Sequence, residues 1–575
     1  MTVLSLLLTL FAVQSVTSAN PSPQVLDPRA LNEYAPVSAS CPSTQIVRGA
    51  TNISSDEARY ITSRKQNADR SLAGWLQKQG DFHPGCLPSV GFAASGGGYR
   101  ALLEAAGVMQ AFDARDTKAS TGGLYQGFTY QAGLSGGAWF TSSLAGNNWP
   151  TVSYLHEKFW KDAFERSLLV PATLLKAAEY PEILSDLVAK EAAGFQTTIV
   201  DAYGQLVSYQ LLPGNTGGDS IRMSGLKDLS NFTSASVPYP ILTALGVDMS
   251  YEGQCDAYLN ATQYEFHPYE WGSWDKGVSA FARTQYMGSN LTNGSPTHSG
   301  KCIEHYDNLG YILGTSSDVF TYALCGILAP VANVDEGLEN TLKVVLNGSG
   351  IPQPLKTAAA PLGNILEAIV NDTSEEREPR YMDLFGSYPN PFYQYPQSTT
   401  VNQHELITMV DGGLSFQNVP VWPFIQPGRD LDVLIAVDCT ADTDQSFPNG
   451  TAIRRTYLNA QAAGLTRMPA IPPAETFVSQ GLNKHAVFFG CNDPHVLTLI
   501  WLPNVDYVYP SNQSTFKFEY TQKETAGMLL NGNAIATQNG TEGWGFCLAC
   551  GIMNGKADLP SGCAECLEKY CYKSK

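Results

Sequence analysis

Charge is scarce in this chain: 15% of its residues are Asp, Glu, Lys or Arg, against 43% hydrophobic. That balance excludes intrinsic disorder as the default state and allows a sizeable buried core. Basic residues are scarcer still, 35 against 53 acidic, for a formal net charge of −18. Such a surface repels nucleic acid, which excludes polyanion binding, and it repels strongly anionic membranes too. Only eight histidines are present (His83, His156, His267, His298, His305, His404, His485 and His495), and none carries a distinctive motif. The apolar run Leu4 to Val13 is too short to span a bilayer as a stable helix. No EF-hand loop and no internal repeat is found.

What is present points to export. The run Leu4–Val13 is followed by Thr17-Ser18-Ala19, small residues that suit a cleavage site, so residues 1–19 read as a signal peptide. A buried N-terminal helix is the alternative, because no Lys or Arg precedes the run. Twelve cysteines, an even number, fit disulfides formed in an oxidising compartment. Ten N-x-[S/T] sequons, at Asn52, Asn231, Asn260, Asn290, Asn293, Asn347, Asn371, Asn449, Asn512 and Asn539, suggest a surface tolerant of glycans. Residues 20–40 are rich in Pro and Ser and read as a flexible lead-in. Residues 41–575 read as one large catalytic domain, with two closely packed domains as the alternative. The chain ends Tyr570-Cys571-Tyr572-Lys573-Ser574-Lys575 without a hydrophobic tail, so a secreted, extracellular protein without a GPI anchor is expected.

A strand–glycine turn–helix pattern occurs twice. Val90–Ala94 reads as a buried strand, Ser95-Gly96-Gly97-Gly98 as a glycine loop and Tyr99–Phe112 as a helix. Gly127–Ala132, Gly133–Gly137 and Ala138–Leu144 repeat the scheme, which implies an α/β architecture. Residues 154–194 read as helical, broken by Pro171 and Pro181. Residues 214–300, rich in Gly, Asn, Ser and aromatics, read as a loop-rich surface insertion. Its stretch Tyr258–Trp274 would form a lid, a lipid-facing patch or a glycan-covered packing surface. Later strands are expected at 406–410, 432–437, 486–490 and 496–502.

Three motifs carry chemistry. Gly133-Leu134-Ser135-Gly136-Gly137 matches G-x-S-x-G, in which a nucleophilic serine projects from a strained strand-to-helix turn. Gly96-Gly97-Gly98 at a helix start exposes successive N–H groups, suited to an oxyanion hole or a phosphate cradle, with Arg100 close by. Asp411-Gly412-Gly413 is on local grounds a hairpin turn; as a catalytic element it needs Asp411 at a strand end.

Together S-G-G-G-Y-R-A, G-L-S-G-G and V-D-G-G, in this order and at these separations, resemble the fungal secreted lysophospholipase/phospholipase B family. That family shares its catalytic module with the group IV cytosolic phospholipases. The resemblance implies a three-layer, patatin-like α/β serine hydrolase domain with large insertions. It implies Ser135 as nucleophile, Asp411 as its base, Gly97 and Gly98 N–H groups as the oxyanion hole, and Arg100 as the holder of the substrate phosphate. It implies no cofactor and no metal. The expected partners are phospholipids and lysophospholipids at membrane or micelle surfaces, with no obligate protein partner.

Alternatives remain open at this point. An α/β-hydrolase triad would join Ser135 to Asp411 or Asp438 and to His485 or His495. A general or neutral-lipid esterase would use the same dyad without regard to phosphate, and an inactive surface protein could keep the fold. Within the tail 547–571, Cys547-x-x-Cys550, Cys563-x-x-Cys566 and Cys571 allow a zinc ribbon, though export favours disulfides, with Cys571 paired upstream or free.

Overall fold

The computed structural model describes residues 32–83, 85–166, 168, 179–214, 216–247, 259–298, 300–318, 385–491, 493–555 and 559–573. The proposed signal segment 1–19, Pro171, Asn347, Asn371 and Tyr258 lie outside them. In chain order the strands are β1 Val37–Ser40, β2 Val47–Gly49, β3 Val90–Ala94, β4 Phe128–Leu134, β5 Tyr239–Val247, β6 Gln263–Phe266, β7 Glu270–Ser273 and β8 Ala280–Arg283. They continue as β9 Leu291–Thr292, β10 Ser295–Pro296, β11 Lys301–Glu304, β12 Gly386–Pro389, β13 Leu406–Asp411, β14 Val433–Asp438, β15 Val487–Phe489 and β16 Thr498–Pro503.

Twelve of these form one mixed sheet in the order β15-β16-β14-β3-β4-β5-β6-β7-β8-β2, with β13 added to β5 and β12 to β13. The section from β16 to β5 is parallel. Its strands β3, β4 and β14 are buried along their whole length. A parallel sheet covered on both faces requires such continuous apolar runs. Helices cover it in two groups: Ser55–Gln79 packs with Trp544–Met553, and Gly98–Phe112 packs with Gly136–Gly146 and Gln522–Ala536. Strand, glycine turn and helix thus appear at both positions where the pattern predicts them. The first helix starts at Ser54, whose hydroxyl accepts the Glu57 N–H at 3.1 Å.

Four expectations change. The lead-in 20–40 is packed over its described part: Tyr34 is buried and its hydroxyl donates to Asp201 at 2.7 Å, while β1 pairs with β11. Pro181 lies in the first turn of helix Glu179–Ala192 instead of breaking it, where backbone N–H groups have no intrahelical acceptor and a proline costs no hydrogen bond. Residues 239–247 and 263–283 are not a surface insertion but β5, the parallel neighbour of β4, and β6, β7 and β8, the antiparallel extension of the sheet. Tyr264 and Trp271 are consequently buried and form no lid or lipid-facing patch, while Leu259 and the sequon Asn260 just before β6 are exposed. The physical reason is ion pairing. Glu265 and Glu270 look like surface residues, but Arg429 meets Glu265 at 2.7 Å and Arg48 meets Glu270 at 2.7 Å.

The cysteine-rich tail is stapled by disulfides. Cys547–Cys566 and Cys550–Cys563 join helices Trp544–Met553 and Cys563–Tyr570, and Cys571 pairs upstream with Cys491. Cys41–Cys302 closes the strap between β1 and β11. Cys86 and Cys439 are unpaired.

Candidate active site

The two strands that bear Ser135 and Asp411 converge on one edge of β5. β4 runs parallel to β5, and its last residue, Leu134, sits opposite Thr243. β13 runs antiparallel to β5, and its last residue, Asp411, sits opposite Ala244. The strands therefore meet head to head at consecutive residues of β5, and each delivers its chemical group at the junction. A Cβ on Gly412 would lie 2.6 Å from the Leu134 side chain, so this approach needs a glycine.

Ser135 leaves the sheet with φ 51° and ψ −121° and serves as N-cap of helix Gly136–Gly146. A side chain in that region is strained and persists only where the surroundings hold it. The Ser135 N–H donates to Ser316 Oγ at 3.0 Å, and Ser316 Oγ donates to the Thr243 carbonyl at 2.8 Å. One turn on, Trp139 Nε1 donates to Ser317 Oγ at 2.9 Å. Helix Leu309–Ser316 thus supports the nucleophile turn.

Asp411 is buried. Its Oδ1 accepts the Gly413 N–H at 2.6 Å, while Oδ2 has no hydrogen-bond partner of regular geometry. Burial pushes its carboxyl up to about 6, against the opposing pull of the Gly413 N–H and the Ser135 hydroxyl. A carboxylate so poised can accept a proton at neutral pH.

The loop Ser95–Gly98 completes the arrangement. A Cβ on Gly136 would lie 2.1 Å from the Gly98 carbonyl oxygen, so the two glycine turns touch backbone to backbone. Helices Gly98–Phe112 and Gly136–Gly146 both begin here, and their positive ends share one site. Gly97 (φ 141°) and Gly98 (φ 61°) open the first helix, so their N–H groups have no intrahelical acceptor. Asn418 joins this loop to the Asp411 turn. Its N–H₂ donates to the Gly96 carbonyl at 3.2 Å and to Thr440 Oγ1 at 3.1 Å, and a Cβ on Gly413 would lie 2.6 Å from its Oδ1. Asn418, Ser316 and Ser317 carry no sequence motif, and only the fold brings them to the site.

Arg100 is close by but turned inward. Its guanidinium is wholly buried and donates to the carbonyls of Cys439 and Gln513 and to the Thr515 hydroxyl. Among the described residues no histidine bonds to Ser135 or Asp411: His485 Nδ1 faces the Ala486 carbonyl at 2.8 Å, and His495 is exposed. Asp438 is already engaged by Thr440 and by Trp501 Nε1 at 2.9 Å. Among the described residues no His, Cys, Asp and Glu cluster could hold a metal ion.

The lysophospholipase catalytic domain family model matches residues 90–575. The chain is 33% identical over 584 residues to lysophospholipase 2 of Aspergillus fumigatus, covering 95% of this chain and 94% of that one. It is also 33% identical to lysophospholipase 1 of Saccharomyces cerevisiae, covering 94% of this chain and 84% of that one. Among solved structures it is similar to human GIVD cytosolic phospholipase A2, with a TM-score of 0.62 at 19% identity, over 90% of this chain and 72% of that one. That likeness is one of fold.

Proposed function

The chain belongs to the lysophospholipase catalytic domain family and is a hydrolase, and on that premise we propose that it releases fatty acids from lysophospholipids and phospholipids through a Ser135–Asp411 dyad. The observation that carries this reading is the head-to-head arrival of β4 and β13 at Thr243 and Ala244, which places Ser135 beside a buried carboxylate with an open oxygen.

In the proposed reaction Asp411 takes the Ser135 proton as Oγ attacks the acyl carbonyl carbon. The carbonyl electron pair moves to oxygen, which the Gly97 and Gly98 N–H groups hold. Collapse breaks the bond to the glycerol oxygen, and that oxygen leaves with the proton from Asp411. Water then gives its proton to Asp411, adds to the acyl-enzyme and frees the fatty acid, and Ser135 recovers its proton. The reading includes secretion. Four disulfides are described, which suits an oxidising compartment, and no described helix is long and apolar enough to cross a membrane. Of the sequons, Asn52, Asn260, Asn290, Asn293, Asn512 and Asn539 are exposed, whereas Asn231 and Asn449 are half-buried.

Fatty-acid release from lysophosphatidylcholine and from diacyl phosphatidylcholine tests the proposal. The wild-type protein is expected to act on both and Ser135→Ala on neither. Turnover by folded Ser135→Ala at the wild-type rate would overturn the assignment.

A further inference from the structure

Arg100 is the place where the family resemblance and the geometry point in different directions. Helix side chains lean toward the helix N-terminus, so Arg100, the third residue of helix Gly98–Phe112, folds back beneath the glycines before it. A Cβ on Gly97 would lie 2.6 Å from Arg100 Nη2 and 3.0 Å from the Cys439 carbonyl oxygen. The guanidinium therefore fills the space that only a glycine leaves free. From there Nε donates to the Cys439 carbonyl at 2.9 Å, Nη1 to the Gln513 carbonyl at 2.5 Å and Nη2 to Thr515 Oγ1 at 3.1 Å. The same loop presses on the other glycine, since a Cβ on Gly98 would lie 2.6 Å from the Thr515 carbonyl oxygen. One planar fork thus ties the start of the helix that these glycines open to the end of β14 and to the loop that follows β16, with the guanidinium packed under Gly97 and Thr515 against Gly98.

We propose that Arg100 is a positioning residue that locks the Gly97–Gly98 backbone as an oxyanion hole, and that it is not the ligand of the substrate phosphate. The inference rests on the reading of those two glycines as the oxyanion hole. Two consecutive glycines at positive φ have unusual freedom and hold one geometry only when outside bonds fix them. Donors to an oxyanion work only at the oxyanion's position, and a displacement of about 1 Å costs on the order of 10²-fold in rate. Lysine cannot substitute, because a point charge does not reproduce a three-way planar fork.

The test compares Arg100→Lys, Thr515→Val and wild-type protein on lysophosphatidylcholine and on the monoacylglycerol of the same acyl chain, which has no phosphate. It also follows covalent labelling of Ser135 by a long-chain alkyl fluorophosphonate, a probe without a headgroup. Arg100→Lys is expected to lower kcat by about 10²-fold on both substrates, with KM changed by less than about 3-fold, and to slow labelling in proportion. Thr515→Val, which removes one partner and leaves the arginine, is expected to lose about 3- to 10-fold, again equally on both. It carries the comparison alone if Arg100→Lys fails to fold. A loss confined to lysophosphatidylcholine and expressed in KM, with labelling at the wild-type rate, would overturn the proposal, as would no loss at all. Failure of the underlying reading looks different: in a crystal structure of the wild-type fluorophosphonate adduct the phosphoryl oxygen would then lie away from the Gly97 and Gly98 N–H groups.

Discussion

Strand β4 carries a buried carboxylate site at each end, and the two are built in opposite ways. Near its start Tyr130 donates to Glu57 Oε1 at 3.0 Å, and Arg429 joins Glu57 at 2.9 Å to Glu265 at 2.7 Å. Those two carboxylates raise the Arg429 pKa, so the guanidinium remains charged although burial opposes it. At the far end Asp411 has no cation within ion-pair distance among the described residues, only a backbone N–H and the Ser135 hydroxyl. A buried carboxylate pinned by a cation serves as structure, because removing either partner strands a charge. Burial also raises the Glu265 carboxyl, to about 7, so the difference lies in the neighbours: Arg429 holds Glu265, whereas Asp411 faces the Ser135 hydroxyl with no described cation beside it and is free to take that proton. His267 illustrates the difference. It sits at the structural end, bonded to the Tyr239 hydroxyl at 2.7 Å, and burial holds its pKa well below the usual imidazole value.

Substitutions at the two ends should separate activity from stability. The largest effect is expected from Asp411→Asn, a loss of about 10⁴-fold in kcat/KM measured by fatty-acid release. The same change should not destabilise the fold. Burial raises the Asp411 pKa from 3.8 to about 6, so between these values the native state binds more protons than the unfolded chain, and stability falls as pH rises through the window. Above it the ionised group is a net cost, and Asp411→Asn should gain on the order of 1–3 kcal/mol in urea unfolding at pH 7. A clear loss of stability would mean that the two ends are alike.

Arg429→Met should do the reverse. It leaves Glu57 and Glu265 buried without their cation and is expected to cost about 3–5 kcal/mol in the same unfolding measurement. The kcat of the molecules that remain folded should stay near the wild-type value. In the wild type, kcat/KM is expected to hold a plateau above pH ~7 and to fall about 10-fold per pH unit well below the Asp411 value of about 6. Smallest of all, His485→Ala and His495→Ala should each change turnover by less than about 3-fold, because neither ring bonds to Ser135 or Asp411. A histidine effect as large as that of Asp411→Asn would restore the triad.

Much of this site could be read in the chain because its parts are local. A buried apolar strand, a glycine turn and a helix start are adjacent in sequence, so Val90–Phe112 and Phe128–Gly146 announce themselves. Asp411-Gly412-Gly413 was different: locally a hairpin, it gained meaning only from the family resemblance, and its geometry depends on β5. The rest was hidden by distance along the chain. Ser316 supports Ser135 from 181 residues away and Asn418 bonds Gly96 from 322 residues away. β6 and β7 lie in a stretch whose Gly, Asn and Ser read as surface, and the partner that lets Glu270 be buried, Arg48, is 222 positions away in the chain. Arg100 stands beside the glycines in sequence, but nothing in its neighbours along the chain shows that it points inward.

The central claim, that Ser135 is acylated with Asp411 as its base, can be tested by trapping. The protein is mixed with lysophosphatidylcholine, quenched in acid within the first turnover and digested, and the peptides are weighed. The account predicts an acyl mass on the Ser135 peptide of the wild type and none on that peptide of Asp411→Asn. An acyl group on another residue, or equal acylation of Ser135 in both proteins, would contradict it.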